Sequence, residues 1–337
     1  MKKVLSIICI AAALISVVAC GKKYPEPVNP NATPEARELL KSLYKSVDEG
    51  KTLSGIHHNE YTINNEGYYN DLNRIADVCG REPIIWGGDL GWYGDSVVEK
   101  AIKNYESGHI ITIMWHVSRP FDKGYVIFKD QVQGEFTDEQ WNDLVTPGTD
   151  MYNMWLAQVD SISTNFLKPL KDKNIPVLWR PYHENNGEWF WWGWREGENG
   201  FKKLWRNMYD RMVNYHHLDN LLWVWNANAP RDIPNDTALA YDLYYPGNDY
   251  VDVLATDVYN RDWKQSHHDQ LVELGGGKLI ALGEIGNVPS PEVLRAQNRY
   301  AWFMIWCGFT GERMNSKEEL SALFNMPEVV TIERTGD

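Results

Sequence analysis

The chain has 337 residues, 43% hydrophobic and 23% charged, which is enough for a large buried core and unlike a disordered or fibrous sequence. A formal net charge of -13 excludes the basic stripe with which nucleic-acid binders neutralise phosphates, so neither DNA nor RNA is expected as a partner.

From the start, "MKK" is a short cationic opening, "VLSIICIAAALISVVA" is an apolar run, and Cys20 follows directly, so residues 1–20 read as a secretory signal. The Val-Val-Ala-Cys ending resembles the bacterial lipobox. That resemblance implies lipidation of Cys20 and a membrane tether that does not span the bilayer, since nothing later approaches ~20 continuous apolar residues. Residues 21–35, "GKKYPEPVNPNATPE", read as a tether and 36–337 as one folded domain. The residues after Cys20 lack an early acidic run, which favours a periplasm-facing place in a bacterial cell envelope. Cys79 and Cys307 remain; they either pair in an oxidising envelope or stay free and buried.

Eight β-rich runs then alternate with helical spacing: 52–58, 83–89, 109–116, 175–182, 220–227, 251–259, 278–284 and 301–307. Helical patterns fall at 97–105, 151–171, 200–215, 291–299 and 316–324. The strand runs are continuously apolar, as in a parallel sheet covered on both faces. Eight such units, with no glycine-rich phosphate loop after the first, predict an α/β fold of the (β/α)8 TIM-barrel type rather than an open doubly wound sheet. The long connection from Ser118 to Asp150 belongs on the functional face.

In such a barrel, reacting groups project from the C-terminal strand ends. Those ends carry Trp115-His116, then Arg180, His183 and Glu184, then Trp225-Asn226, Asp257 with Tyr259, Glu284, and Trp306. Strands four and seven face each other across the axis, so Glu184 and Glu284 form the candidate acid-base pair. Hydrolysis of a glycosidic bond needs one carboxylic acid for the leaving oxygen and one carboxylate for the anomeric carbon. Sixteen tryptophans exceed what a core is expected to need, and indole faces stack on the C–H faces of sugars. Trp155 and Trp205 read as core, whereas Trp189, Trp191 and Trp192, in a loop directly after Glu184, are expected to face a cleft. "HENNG" lacks the second histidine of a zinc-protease helix. The pairs His57-His58 and His267-His268 have no companion carboxylates at useful spacing. No metal and no cofactor are expected.

The segments "WRPYHENNGEWFWWG" and "ALGEIG" resemble the signatures of glycoside hydrolase family 26, β-1,4-mannanases with (β/α)8 barrels, over about residues 36–330. The resemblance implies a retaining double displacement on β-mannan, galactomannan or glucomannan, endo-acting or releasing mannobiose, with Glu184 as acid/base and Glu284 as nucleophile. It also implies His183 beside the acid/base, Trp189 bordering the reacting sugar, Tyr259 orienting the nucleophile, His116 in the site and Trp306 as a platform. Trp115 and Asp257 complete the expected substrate contacts. Cys307 stands where family members often carry an arginine. Other expected readings are a β-1,3-xylanase, a mixed-linkage β-glucanase or a non-catalytic glycan-binding lipoprotein. A monomer is expected.

Overall fold

The computed structural model describes residues 23–57, 71–92, 94–124 and 126–333, so the signal, Cys20 and His58 lie outside the described residues. Eight parallel strands form the predicted closed barrel. They are β1 (Thr52–His57), β2 (Ile85–Asp89), β3 (Ile110–Trp115), β4 (Val177–Pro181), β5 (Leu221–Asn228), β6 (Val253–Val258), β7 (Leu279–Ile285) and β8 (Tyr300–Ile305). β8 pairs with β1, Leu53 opposite Trp302, which closes the ring. Short additional strands, Arg81–Pro83 and Val329–Glu333, pair with each other, and Val329 and Val330 also pair with the start of β1.

The helical expectations hold with local adjustments. The run 150–171 is one continuous helical rod whose wide π turn, Ser163–Leu167, sits just before Pro169, a residue with no N–H to give the ladder. The 291–299 pattern shortens to Pro291–Ala296. Helices at Pro34–Asp48, Asp71–Cys79, Asp138–Leu144 and Gln265–Gly275 have no counterpart among the expected patterns; the last buries His267 and His268. Between β5 and β6 there are only 3-10 turns, in a stretch that carries Pro230, Pro234 and Pro246.

Side chains alternate across each strand. Ile111, Ile113 and Trp115 of β3 point outward into the large core under the helices, while Leu178, Val224, Ala255, Ala281 and Met304 point inward. The inward set meets helix α1 (Pro34–Asp48), which inserts Ala36, Leu40, Leu43, Tyr44 and Val47 at the N-terminal end of the barrel. Thr33 caps α1 by accepting from Ala36 N, with Pro34 at the first helical position. The tether reading is corrected here: from Tyr24 onward this segment packs on the barrel. Val28 N donates to Asp252 Oδ1 at 2.7 Å, Asn29 is fully buried, and Tyr24 stacks on Tyr44. Cys79 and Cys307 are not bonded to each other.

Candidate active site

At the opposite, C-terminal mouth the barrel axis is filled by charge. Arg180, two residues beyond the inward Leu178, is buried and points inward too. Its Nη1 donates to Glu284 Oε1 at 2.8 Å and Asn226 Oδ1 at 3.1 Å, and lies 4.0 Å from Asp257 Oδ2. The chain then enters a strained turn: Tyr182 and Glu184 both have positive φ, 48° and 52°, a region bulky L residues avoid. The two asparagines after Glu184 hold that turn in place. Asn185 Nδ2 donates to Asn226 O at 2.9 Å; Asn186 donates to Asn228 O and Leu239 O and accepts from Asn228 N. Glu184 N itself bonds Asn226 O at 2.9 Å, so the acid's backbone is fastened to the end of β5.

Glu284 reaches the axis by a different device. On β6, Thr256 opposes Leu282 and Asp257 opposes Glu284, so Gly283 is an extra residue in β7. This bulge lets both Gly283 and Glu284 face inward, whereas strict alternation would send Glu284 out to the helices. Position 283 must be glycine, because a Cβ there would lie 1.7 Å from Asn226 Oδ1. Tyr259 OH donates to Glu284 Oε2 at 2.8 Å, opposite Arg180 on Oε1.

The two glutamates have contrasting surroundings. Glu284 receives two donors that compensate a negative charge. Glu184 accepts from the neutral groups Asn228 Nδ2 and Trp189 Nε1, the latter at 2.6 Å. Burial first, and then the charge of Glu284, push the Glu184 carboxyl up to about 7, against the lowering effect of those two hydrogen bonds and of Arg231. Glu184 is therefore poised to hold a proton near neutrality. His183, whose Nε2 lies 3.8 Å from Glu284 Oε1, is driven well below the usual histidine range by burial, His116 and Arg180, and stays neutral. One oxygen from each of Glu184, Asp257 and Glu284 lies within 4.8 Å of the others. Three carboxyls at this spacing can also gather around a cation. Here Arg180 supplies positive charge to two of the three, Glu284 and Asp257.

The structure brings most of the expected residues together. His116 is buried at the end of β3, with its Nδ1 2.6 Å from Asp89 Oδ2, and meets His183 edge to face. Trp306 is half-buried and stacks on His57, ring centroids 4.2 Å apart. The long 118–150 connection lies on this face as expected, setting Phe128 against His116 and Val126 O against Trp92 Nε1.

Other expectations are corrected. Trp115 faces the helical layer, packing on Tyr182, because it is one residue out of phase with His116. Asp257 has no exposed surface and lies beneath the carboxyl pair, where it faces Arg180 rather than a ligand; burial and then Glu284 hold its carboxyl well above the usual range. Trp191 and Trp192 are buried, their indole N–H groups donating to Val117 O and His183 O. Nine tryptophans are among the largest fully buried side chains, so most of the aromatic excess is core. Arg180, Asn228, Asp89 and His57 were not singled out as site residues. For Arg180 and Asn228, period-two counting from the inward Leu178 and Val224 carries the signal; Asp89 and His57 meet their partners only when the ring closes.

An opposed carboxyl pair, one member poised to hold a proton and the other flanked by donors, at the mouth of a (β/α)8 barrel, is a site of the glycoside-hydrolase class. The chain belongs to glycosyl hydrolase family 26, whose profile matches residues 28–334. It is 31% identical over 338 residues to a mannan endo-1,4-beta-mannosidase of Thermothelomyces thermophilus, covering 90% of this chain and 62% of that relative. It spans 46% of the mannan endo-1,4-beta-mannosidase A of Piromyces sp, with 29% identity over 299 residues. Among solved structures, that of GH26A from Muricauda sp. MAR_2010_75 is 44% identical, with a TM-score of 0.84 and coverage of 90% of this chain and 98% of that one. A beta-mannanase from a symbiotic protist of the termite Reticulitermes speratus, solved with a gluco-manno-oligosaccharide, is 26% identical with a TM-score of 0.77, covering 92% and 97%.

Proposed function

We propose that this protein is a retaining glycoside hydrolase that cleaves β-1,4-mannosidic bonds in mannan, galactomannan or glucomannan. The observation that carries the reading is the contrast within the glutamate pair, with Glu184 pushed up to about 7 and Glu284 held by Arg180 and Tyr259. Glu284 attacks the anomeric carbon while Glu184 gives its proton to the departing glycosidic oxygen. This forms a glycosyl ester and leaves Glu184 charged. The ester removes the negative charge on Glu284 that helped to raise Glu184. The weakened repulsion favours the carboxylate form of Glu184, which then takes a proton from the incoming water. The spacing supports retention, since one oxygen of each glutamate lies within 4.8 Å of the other, nearer to the roughly 5–5.5 Å of retaining pairs than to the roughly 6.5–9.5 Å of inverting ones. His116, Trp189, Trp306 and the neutral His183 are assigned to the sugar in the reacting position.

That the Thermothelomyces thermophilus and Piromyces sp relatives are both mannan endo-1,4-beta-mannosidases supports mannan over β-1,3-xylan or mixed-linkage glucan. A time course on mannan and mannopentaose tests the assignment: mixed product lengths from the first minutes are expected for endo action, and mannobiose alone would mean an exo mode. Azide rescue of Glu284→Ala, yielding a glycosyl azide of inverted configuration, identifies the nucleophile. Binding of mannan without turnover would leave only a capture role. We also propose, from residues 1–20, a lipid anchor at Cys20 that faces the periplasm. Loss of membrane partitioning in Cys20→Ala is the expected result.

A further inference from the structure

The double displacement uses Trp189 but leaves a second ring of the same loop unexplained. Trp194 is 43% exposed, and its φ of 54° lies in the left-handed region, a genuine outlier for a large side chain. The turn that presents it is tightly built: a Cβ on Gly193 would fall 2.1 Å from Gly187 O, and Trp194 N donates to Asn185 O at 3.2 Å. A strained backbone that is fastened one residue from the acid, and that turns an indole toward water, points to a use for that indole.

A cavity of about 590 Å3 lies under it, lined by Trp189 and Trp194 and by the polar residues Gln133, Glu135, Glu188 and Asn235. Trp189 joins the two regions. Its Nε1 donates to Glu184 Oε2, and its ring forms part of the cavity wall. Arg195 also borders the cavity, but it is tied to Asp138 and held over Trp141. Because Glu184 protonates the oxygen that departs, the leaving half of the substrate must lie on the Glu184 side.

We propose that Trp194 is a stacking platform for the second sugar of the leaving chain, beyond the one bordered by Trp189, with the polar rim receiving that sugar's hydroxyls. This rests on the glycosidase reading and deepens it, making Trp194 a determinant of preference for long chains on the reducing side.

The test compares Trp194→Ala and Trp194→Phe with wild type on a manno-oligosaccharide that extends two sugars past the scissile bond and on an aryl β-mannobioside that has no sugar there. With unchanged melting temperatures, Trp194→Ala is expected to lower kcat/KM on the long substrate relative to the aryl one by roughly ten-fold, the loss of one stacked ring, and Trp194→Phe to recover most of it. Equal loss on both substrates, or no loss on either, overturns the platform while the wild-type activity keeps the glycosidase reading intact. A wild-type protein inert on both substrates overturns that reading and the platform with it.

Discussion

The two ends of the barrel are built from opposite materials. At the N-terminal end, α1 drives Leu40, Leu43 and Val47 into a ring of inward aliphatic side chains, with ordinary helix caps and no positive-φ residue within it. At the C-terminal mouth the same inward positions carry Arg180, Asn226, Asp257 and Glu284, and the chain there includes a bulge and two left-handed residues. Burying that much charge contributes little net stability, because desolvation offsets most of the attraction. Apolar packing thus fills the N-terminal end of the barrel interior, and the other end holds groups in strained and unusual protonation states.

Substitutions at the two ends should separate activity from stability. The largest effect is expected from Glu284→Ala, a fall in kcat of at least about 10⁴-fold on every β-mannoside, with the barrel intact by circular dichroism. Glu184→Ala should cost roughly 10²–10⁴-fold on mannan. Aryl substrates with good leaving groups should be spared in the first step, because they need no proton; burst kinetics would show it. At the other end, Leu40→Ala removes a side chain that is 1% exposed. A loss of about 2–5 kcal/mol in urea unfolding is expected, with kcat/KM on mannan unchanged at temperatures where the variant is folded. A large change in kcat/KM would show that the plug and the mouth are coupled.

The smallest effect concerns pH. Glu184 must carry a proton in the free enzyme, so kcat/KM should fall as pH rises through its value near 7. The hydrogen bond from Asn228 lowers that value. Asn228→Ala should therefore move the alkaline limb of the pH profile upward, and a downward move would contradict the assignment of Glu184 as the acid.

Much of this was legible in the chain itself. Apolar strand runs and their spacing determined eight parallel strands, because a buried parallel strand needs apolar residues on both faces and a crossover before the next one. Strand-end position marked Glu184, Glu284, His116, His183, Tyr259 and Trp306. What the one-dimensional pattern could not decide was direction. Trp115 and His116 are neighbours that point to opposite sides of the sheet, and of two tryptophans in one loop Trp191 is buried with its indole N–H on Val117 O while Trp189 stays partly exposed and donates to Glu184. Glu284 faces inward through one extra residue in β7, a register fixed by pairing with both neighbouring strands. The raised carboxyl of Glu184 likewise exists only after closure, since the burial and the Glu284 charge that raise it are supplied by other strand ends. The sequence determined which chemical groups were available at the mouth; tertiary structure decided which of them face the axis and which carboxyl keeps its proton, because both depend on neighbours brought together only when the ring closes.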